Sequence, residues 1–528
     1  MASRLEQIQG LIVTAEEMRR IEGQVFEAGM PVAALMEKVG GLLARRIQAL
    51  YPLTPVFKVG VLVGPGHNGG DALVVARELH FRGYQVALFR PFVKLKQLTA
   101  RHARYADSLG LPSVREIEAL SDCDLVVDGL FGFGLERPLS GAIATAVDQI
   151  NQWPQPVFSI DLPSGVHTDT GKVLGAAIQA THTGCLGLWK RAFLQDQALD
   201  YIGRAELIDF DLPLADIQAI LGSPPPVQSI TPAAAIARLP LPRPAATHKY
   251  KVGHLLLVCG SQQYMGAAIL AGLGASASGV GMLTLAAPAS LKPILIAQLP
   301  EALILGCPET DQGAIAQLPD DLNLAAYGAI ACGPGLTREA KAAVNAVLGC
   351  DRPLLLDADG LNSLADLDPV QTLSQRSAPT VLTPHPGEFK RLFPKITDRQ
   401  TDRGQAAQTA AQISQAVVVL KGARVAIAHP QGQLWFNPES TPALARGGSG
   451  DVLTGLIGGL MAQKSAIAPP DSQLSSVFDA ALCGVWWHAQ AGLLATQERT
   501  ELGVDPRTLA EYLDLALALK FKFQQSTH

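Results

Sequence analysis

The sequence has few aromatic residues, few charges and no closely spaced cysteine pair. Aromatic residues make up 5% and charged residues 17% of the 528 residues, whereas 48% are hydrophobic. This composition excludes a disordered or fibrous chain. The seven cysteines are scattered without a Cys-x-x-Cys pair, and their odd number argues against a disulfide framework. We therefore expect a globular, cytoplasmic protein in a reducing compartment.

Long basic runs and a secretory signal are also missing. The formal net charge is only −5, so we expect a small-molecule partner and no nucleic acid. The first twenty residues contain charges throughout and have no apolar core, which excludes a secretory signal. The uncharged stretch 255–291 is long enough to cross a membrane, but glycines and the polar segment 260–264 interrupt it. It therefore predicts a buried strand, a turn and a helix, and no membrane span.

The length and the prolines predict two domains. Domains usually contain roughly 100–200 residues, so the chain is too long for one. Seven prolines lie between residues 223 and 246, where they would interrupt sheet pairing and stiffen the backbone. We predict one domain at 1–222, a linker at 223–246 and a second domain at 247–528. Apolar strands alternate with helices in both, which is typical of parallel α/β sheets.

A glycine-rich turn at 64–71, with the sequence GPGHNGGD, separates an apolar strand from an amphipathic helix. Such a turn allows an anion to approach the helix N-terminus. The next strand ends at 89–91 without the acid that would bind a ribose, which argues against a standard dehydrogenase. Asp128 and Asp161 follow two later strands. Because parallel strands end at the same sheet edge, we predict a site with a hard cation and one carboxylate as general base.

A second glycine turn, Gly447 to Asp451, precedes an almost entirely apolar helix. Its backbone donors and the Asp451 carboxylate are suited to phosphoryl transfer. Lys421 and Arg424 could neutralise a polyphosphate, and Asp357 and Glu388 could position magnesium through water. These residues alone are also compatible with an ATP-dependent kinase of a small hydroxylated metabolite. The first domain could likewise bind a nucleotide without catalysing a reaction.

The motifs resemble one family in content and in order. These motifs are GPGHNGGDALVVAR, VVDGLFGFGL, SIDLPSGVHTDTG, CGPGL, LDADGLN, TPHPGEFKRL, KGAR and GGSGDVLTGLIGGLMAQ. Together they resemble the bifunctional NAD(P)H-hydrate repair enzymes over nearly the whole chain. The resemblance implies an N-terminal Rossmann-like three-layer domain that epimerises the R and S hydrates of NADH and NADPH. It also implies a C-terminal ribokinase-like α/β domain that dehydrates the S hydrate at the expense of ADP, giving AMP, phosphate and NAD(P)H.

The resemblance also implies site residues, cofactors and assembly. Asp161 and Asp451 would be catalytic, and the expected cofactors are K⁺ in the first domain and Mg²⁺ with ADP in the second, in a homo-oligomer. The epimerase would bind the hydrate at His67, Asn68, Gly69, Gly70, Asp71, Gly132, Phe133, Gly134, Leu135, Glu136, Arg137, Pro138 and Asp161. Potassium would be held by Asn68, Asp128 and Ser164. The dehydratase would bind the hydrate at Ala267, Gly335, His385 and Asp451, and the nucleotide at Lys421, Gly422, Ala423, Arg424, Val425 and Gly450.

Four residues depart from the pattern of that family. His67, Ala72 and Phe133 stand where the resemblance predicts Asn, Gly and Thr, and His167 stands where an aspartate is common. His67 belongs to the binding turn, so its presence bears on substrate preference rather than on the chemistry.

Overall fold

The structure is a computed structural model that describes residues 3–53, 58–397 and 402–526. It divides into two compact units, Met1–Gln228 and Ser229–His528. Each unit contains a predominantly parallel sheet with helices, as the alternating sequence pattern predicts.

The first unit contains nine strands and eight α-helices among the described residues. The strands are β1 (Ile12–Val13), β2 (Lys58–Val63), β3 (Gln85–Phe89), β4 (Ser113–Val114), β5 (Leu125–Gly129), β6 (Val157–Ile160), β7 (His182–Leu186), β8 (Trp189–Lys190) and β9 (Arg204–Ile208). The helices are α1 (Arg4–Ile8), α2 (Ala15–Glu27), α3 (Val32–Leu50), α4 (His67–Phe81), α5 (Gln97–Ser108), α6 (Gly141–Ile150), α7 (Leu199–Ile202) and α8 (Leu214–Leu221).

The seven-stranded sheet of this unit has the order β4-β3-β2-β5-β6-β7-β9, and all its pairs are parallel. β5 and β6 are buried along their whole length, as strands covered on both faces must be. After β2 the chain moves to β3 on one side and later to β5 on the other. Ligands of such sheets bind where the strand order reverses, which here is between the ends of β2 and β5.

The second unit begins within a strand at the division between units. Its strands are β10 (Val227–Ser229), β11 (His254–Val258), β12 (Met282–Pro288), β13 (Leu303–Cys307), β14 (Ala329–Cys332), β15 (Leu354–Leu356), β16 (Thr380–Leu382), β17 (Val417–Leu420), β18 (Ala426–Ala428) and β19 (Leu434–Phe436). Its helices are α9 (Pro232–Ile236), α10 (Met265–Ala277), α11 (Lys292–Gln298), α12 (Lys341–Leu348), α13 (Ala358–Ala365), α14 (Pro369–Ser374), α15 (Pro386–Leu392), α16 (Pro394–Thr397), α17 (Arg403–Ser414), α18 (Ser449–Ile467), α19 (Gln473–Arg499) and α20 (Pro506–Ser526).

These ten strands form one sheet in the order β10-β19-β18-β17-β16-β15-β14-β11-β12-β13. In this order, all neighbouring strands from β17 to β13 are parallel. Strand β18 is antiparallel to both of its neighbours, β17 and β19. The strand order reverses between β11 and β14. The turns that follow β14, β15, β16 and β17 therefore lie along one edge of the sheet.

Helix α18 is buried along most of its length and packs against α10 and α19. Glycines permit the close approach of α10: a Cβ on Gly455 would lie 1.8 Å from the carbonyl oxygen of Ala271, and one on Gly274 would lie 2.1 Å from that of Val452. The apolar, glycine-containing sequence of α18 therefore fixes its N-terminus against the core, where the second glycine turn begins.

The stretch 255–291 forms β11, a turn, α10 and β12, as the interruptions in its sequence predict. In the described part of the chain, no helix is long and apolar enough to span a membrane. The segment 223–246 contains β10 and α9, so it is more ordered than a proline-rich linker would be. Pro232 occupies the first turn of α9 behind the Thr231 cap, where a missing N–H costs nothing.

Candidate active sites

A cavity of about 500 Å³ opens in the first unit at the point where the strand order reverses. Eight of the predicted hydrate-binding residues line it, namely His67, Asn68, Asp71, Gly132, Phe133, Gly134, Leu135 and Asp161. Five others do not line it. Gly69 and Gly70 are buried in the first turn of α4, and Glu136, Arg137 and Pro138 lie on the exposed part of the following loop.

The glycines of the first turn have different functions. A Cβ on Gly64 would lie 1.7 Å from the carbonyl oxygen of Leu130, and one on Gly69 would lie 2.0 Å from that of Gly64. These two glycines are required for backbone packing. A Cβ on Gly66 would meet no atom within 4 Å, and Gly66 precedes α4 and lines the cavity. The open approach to the helix N-terminus is therefore at Gly66.

Asp161 follows β6 and is only 2% exposed. Its backbone φ of +68° lies in the left-handed region, which is rare for a residue other than glycine and is found mainly at functional sites. Its Oδ2 accepts a hydrogen bond from the Phe133 N–H at 2.9 Å, and its Oδ1 accepts one from Lys190 Nζ at 2.5 Å. The carboxylate is thus fixed at the cavity wall by a loop and by a buried cation.

Lys190 was not among the residues predicted from the sequence. Its side chain is fully buried, and Nζ also donates to the Leu186 carbonyl at 2.6 Å. Burial lowers the pKa of Lys190, but the combined effects of Asp161, Cys185 and Glu22 exceed that of burial and raise it above its usual value. Nζ also lies 5.6 Å from the centre of the Phe133 ring. The aromatic residue found where a threonine is expected therefore adds a cation–π contact.

Replacing Lys190 with methionine is expected to destabilise this part of the first unit by about 3–5 kcal/mol, because Asp161 would remain as a buried charge without its partner. Hydrogen–deuterium exchange of peptides from β6 to β8 measures the change locally. Lys172→Met is the matched control, since Lys172 is exposed. Equal protection in the two variants would contradict a stabilising role for the ion pair.

The three residues predicted to bind potassium lie at the ends of β5 and β6 and at the start of α4. Asp128 Oδ1 accepts hydrogen bonds from Ser164 Oγ at 2.6 Å and from the Leu130 N–H at 3.2 Å. Its Oδ2 accepts from Ser159 Oγ and from the Ser164 N–H, both at 2.9 Å. The Asn68 side-chain nitrogen is buried and has no hydrogen-bond partner among the described residues. Burial raises the pKa of Asp128, and the hydrogen bonds from Ser164 oppose that rise.

The second site lies at the N-terminus of α18. Gly448, with φ of +96°, precedes the helix, and Asp451 stands in its first turn. Burial, together with repulsion from Asp357, raises the pKa of Asp451 to about 7, although Lys421 acts in the opposite direction. A carboxylate that titrates near neutral pH is suited to general base catalysis.

Asp357 and Lys421 form an ion pair beside this helix end. Lys421 Nζ donates to Asp357 Oδ1 at 2.7 Å, and Thr454 Oγ1 donates to Asp357 Oδ2 at 2.7 Å. A Cβ on Gly450 would lie 3.4 Å from Lys421 Nζ. Lys421 therefore lies next to the predicted anion site, but both oxygens of Asp357 are already engaged by protein groups.

The residues predicted to bind the hydrate in the second unit lie on the same sheet edge. A Cβ on Gly335, after β14, would lie 2.8 Å from the Ala267 Cβ, so these two residues are neighbours. His385 caps α15, where its backbone N–H donates to Glu388 Oε2 at 2.8 Å. Burial, followed by repulsion from Asp357, raises the pKa of Glu388.

The predicted nucleotide-binding segment, Lys421 to Val425, connects β17 with β18. Arg403 on α17 donates to the carbonyl oxygens of Leu420 at 3.2 Å and Lys421 at 2.5 Å. On the other side of α18, the fully buried His488 contacts the Ser449 carbonyl through Nε2 at 3.0 Å. Burial lowers the pKa of His488 to about 4, so it is neutral at neutral pH. Arg403 thus holds the backbone at the end of β17, and His488 holds the first residue of α18. The sequence around neither residue indicates this role.

Comparisons with known proteins show the family of the chain. Residues 255–515 match the family model of NAD(P)H-hydrate dehydratase, and residues 32–192 match that of the YjeF-related protein N-terminus. The chain is 54% identical to the bifunctional NAD(P)H-hydrate repair enzyme Nnr of Thermosynechococcus vestitus, over 95% of this chain and 96% of that protein. The chain belongs to the bifunctional NAD(P)H-hydrate repair enzyme family. This membership confirms the resemblance, the fold class and the prediction that the chain is an enzyme.

The chain is also similar to two further proteins. The repair enzyme Nnr of a Synechocystis species is 54% identical over 95% of this chain and 94% of that protein. The ADP/ATP-dependent NAD(P)H-hydrate dehydratase from Bacillus subtilis, co-crystallised with ATP and Mg²⁺, is 35% identical and covers 55% of this chain and 97% of its own, with a TM-score of 0.46.

Proposed function

We propose that this member of the repair family interconverts the R and S hydrates of NADH and NADPH in its first unit. In its second unit it dehydrates the S hydrate at the expense of ADP, giving AMP and phosphate and restoring the reduced dinucleotide. The main support is that a member of the family has a carboxylate at each of two sites, Asp161 in the cavity of the first unit and Asp451 at the start of α18 in the second. Epimerisation makes both hydrates accessible to a dehydratase that accepts one.

Dehydration requires a better leaving group than hydroxide. Asp451 accepts the proton of the substrate hydroxyl as that oxygen attacks the terminal phosphorus of ADP, and AMP departs. The phosphorylated hydroxyl then leaves as phosphate with the electron pair of its carbon–oxygen bond, and the adjacent ring carbon loses a proton to water, which restores the ring double bond. Backbone N–H groups at the start of α18 stabilise the charge of the migrating phosphoryl group, and Lys421 lies beside them.

Substrate binding in the second unit depends on the neighbouring turns. Ala267 and Gly335, which are in contact, form an apolar wall with no side chain beyond a methyl group, and His385 and Asp451 provide the polar contacts to the hydrate. The turn Lys421 to Val425 and Gly450 bind the adenine nucleotide. Arg403 supports this turn through its carbonyl oxygens.

Magnesium fits the charge balance of the second site. Burial raises the pKa values of Asp451 and Glu388, and the nearby Asp357 raises them further, so the three carboxyl groups lie close enough to repel one another, with Lys421 as the opposing cation. Both oxygens of Asp357 already accept hydrogen bonds and both oxygens of Glu388 lie beside His385, so these carboxylates would hold the ion through water, together with the nucleotide phosphates. When bound, the ion would polarise the phosphates.

The side-chain oxygen atoms of Asp128, Ser164 and Asn68 in the first unit are suited to binding potassium. Asp128 accepts four hydrogen bonds and forms no ion pair within the described ranges, so no described side-chain cation balances its charge. Asp128, Ser164 and the Asn68 amide would hold K⁺, which would balance the buried charge. In the cavity of this unit, His67, Asn68, Asp71, Gly132 to Leu135 and Asp161 bind the hydrate, and Asp161 acts as base. Assembly as a homo-oligomer and a cytoplasmic location stay predictions.

Incubation with the S hydrate of NADPH and ADP tests the dehydratase assignment. We expect recovery of the near-ultraviolet absorbance of the reduced nicotinamide together with AMP formation, and repetition with ATP identifies the preferred nucleotide. No recovery would contradict the proposal and would favour the alternative, an ATP-dependent kinase of a small hydroxylated metabolite.

The raised pKa of Asp451 predicts the pH dependence of dehydration. Because the base must be ionised, kcat/KM for the S hydrate is expected to fall as pH drops below about 7, by about tenfold per pH unit. The measurement is initial rates at saturating ADP, with the ADP affinity determined at each pH as a control. A rate that is constant down to the ordinary aspartate value of 3.8 would contradict the role of Asp451.

A further inference from the structure

The cavity of the first unit contains a carboxyl group that no motif includes. Helix α2 contributes Arg19, Glu22, Gly23 and Phe26 to the cavity wall. Glu22, Gly23 and Phe26 follow Arg19 by three, four and seven residues, so all four positions lie on one face of the helix. The family model for this unit matches only residues 32–192, so Glu22 lies outside the matched region.

The chain fixes α2 relative to Lys190. Strand β1, immediately before α2, pairs with β8 in parallel, with Val13 opposite Lys190. Thr14 then caps α2 in a reciprocal capping box with Glu17, and the Ala15 N–H donates to Asp169 Oδ1 at 2.8 Å. These contacts therefore hold α2, and with it Glu22, in a fixed position relative to the ion pair of Lys190 and Asp161.

Glu22 and Asp71 are the carboxyl groups of this cavity that have no fixed partner. In the residues that the structure describes, neither side chain forms a hydrogen bond or an ion pair, whereas Lys190 Nζ is engaged by Asp161 and by the Leu186 carbonyl. Burial raises the pKa of Glu22 to about 7, with Asp161 adding to the rise and Lys190 opposing it. The other titratable or charged groups that line this cavity are Arg19, His67, Asp71 and Lys96.

We propose that Glu22 is a second catalytic residue of epimerisation, which gives a proton to the ring nitrogen of the hydrate while Asp161 takes the proton of its hydroxyl. The inference rests on the proposed function of the first unit. It is supported by the position of Glu22 in the same cavity as Asp161 and by its lack of any competing partner.

The chemistry balances without any further reactant. In the hydrate, the carbon with the hydroxyl group is bonded to the ring nitrogen. Asp161 removes the hydroxyl proton, the carbon–nitrogen bond breaks with its electron pair going to nitrogen, and Glu22 protonates that nitrogen. An open aldehyde results. After rotation about the adjacent carbon–carbon bond the same steps in reverse close the ring with the opposite configuration, and both residues recover their initial protonation states.

The test compares Glu22→Gln with Glu27→Gln, an exposed position on the same helix. Conversion of the pure R hydrate into the S hydrate is followed by NMR over a range of pH. We expect Glu22→Gln to lower kcat by about 10²–10⁴-fold with little change in KM, and Glu22→Asp to restore part of the rate. The wild type should lose activity at alkaline pH as the acid ionises, and the residual activity of Glu22→Gln should not.

The outcomes separate this inference from the proposed function. If the wild-type protein does not interconvert the hydrates, the epimerase assignment itself fails. If the wild type is active and Glu22→Gln retains its rate, the inference is overturned. It is also overturned if Glu22→Gln is slow but keeps the alkaline loss of activity, or if Asp71→Asn, rather than Glu22→Gln, removes that loss. Hydrogen–deuterium exchange of peptides from β5 to β8 that is unchanged from the wild type shows that the first unit of the variant is intact.

Discussion

Replacing Asp451 with asparagine is expected to slow ADP-dependent dehydration of the S hydrate by about 10²–10⁴-fold. Asparagine has nearly the same shape but cannot accept the hydroxyl proton, so nucleotide binding at the start of α18 should be retained. Steady-state rates and the ADP dissociation constant measure the two effects separately. Asp366→Asn, an exposed aspartate of the same unit, is the matched control.

The same variant has a distinct effect on stability. Because folding raises the pKa of Asp451 from 3.8 to about 7, the folded unit loses stability as pH rises through that window. Asp451→Asn should therefore be more stable than the wild type above pH 7, by no more than ~4 kcal/mol, and should show no such gain below pH 3.8.

In the activity measurement, an Asp451→Asn variant that dehydrates the S hydrate at the wild-type rate would contradict the assignment of Asp451.

Replacing Asp161 with asparagine is expected to reduce interconversion of the R and S hydrates by about 10²–10⁴-fold. The variant loses the base and also leaves Lys190, which is fully buried, without its charge partner. NMR of a pure hydrate measures the interconversion, and titration with the hydrate measures binding. Retained binding without interconversion is the expected result.

Two controls separate chemistry from stability in this experiment. The double variant Asp161→Asn with Lys190→Met removes both charges, which should restore much of the stability but none of the activity. Asp148→Asn, on the exposed face of α6, should leave interconversion unchanged. Unaltered interconversion in Asp161→Asn would instead favour a first unit that only binds nucleotides.

The positions of Asp128, Asp161 and Asp451 could be predicted from the sequence. Asp128 and Asp161 come at the ends of apolar strands of one parallel sheet, whose carboxyl ends must meet at one edge. Asp451 follows a glycine turn and begins a long apolar helix, so its place at a buried helix N-terminus is fixed by local pattern. Each inference needs only a strand or helix and the residue that follows it.

Other parts of the sites could not be predicted because they depend on distant pairing. Lys190 lies in the two-residue strand β8, whose partner is β1, and Glu22 reaches the cavity only because β1 precedes α2. Thr454, 97 residues after Asp357, donates a hydrogen bond to one of its oxygens, a contact that the sequence around Asp357 does not indicate. A count of prolines likewise could not show that 223–246 contains a strand and a capped helix.

Conversion of the pure R hydrate of NADPH in the presence of ADP tests the two-site account most directly. The wild type should form NADPH, Asp161→Asn should dehydrate the S hydrate but not the R hydrate, and Asp451→Asn should interconvert the hydrates without forming NADPH. A mixture of the two variants should restore NADPH formation from the R hydrate. If Asp161→Asn converts both hydrates as fast as the wild type, the account is contradicted.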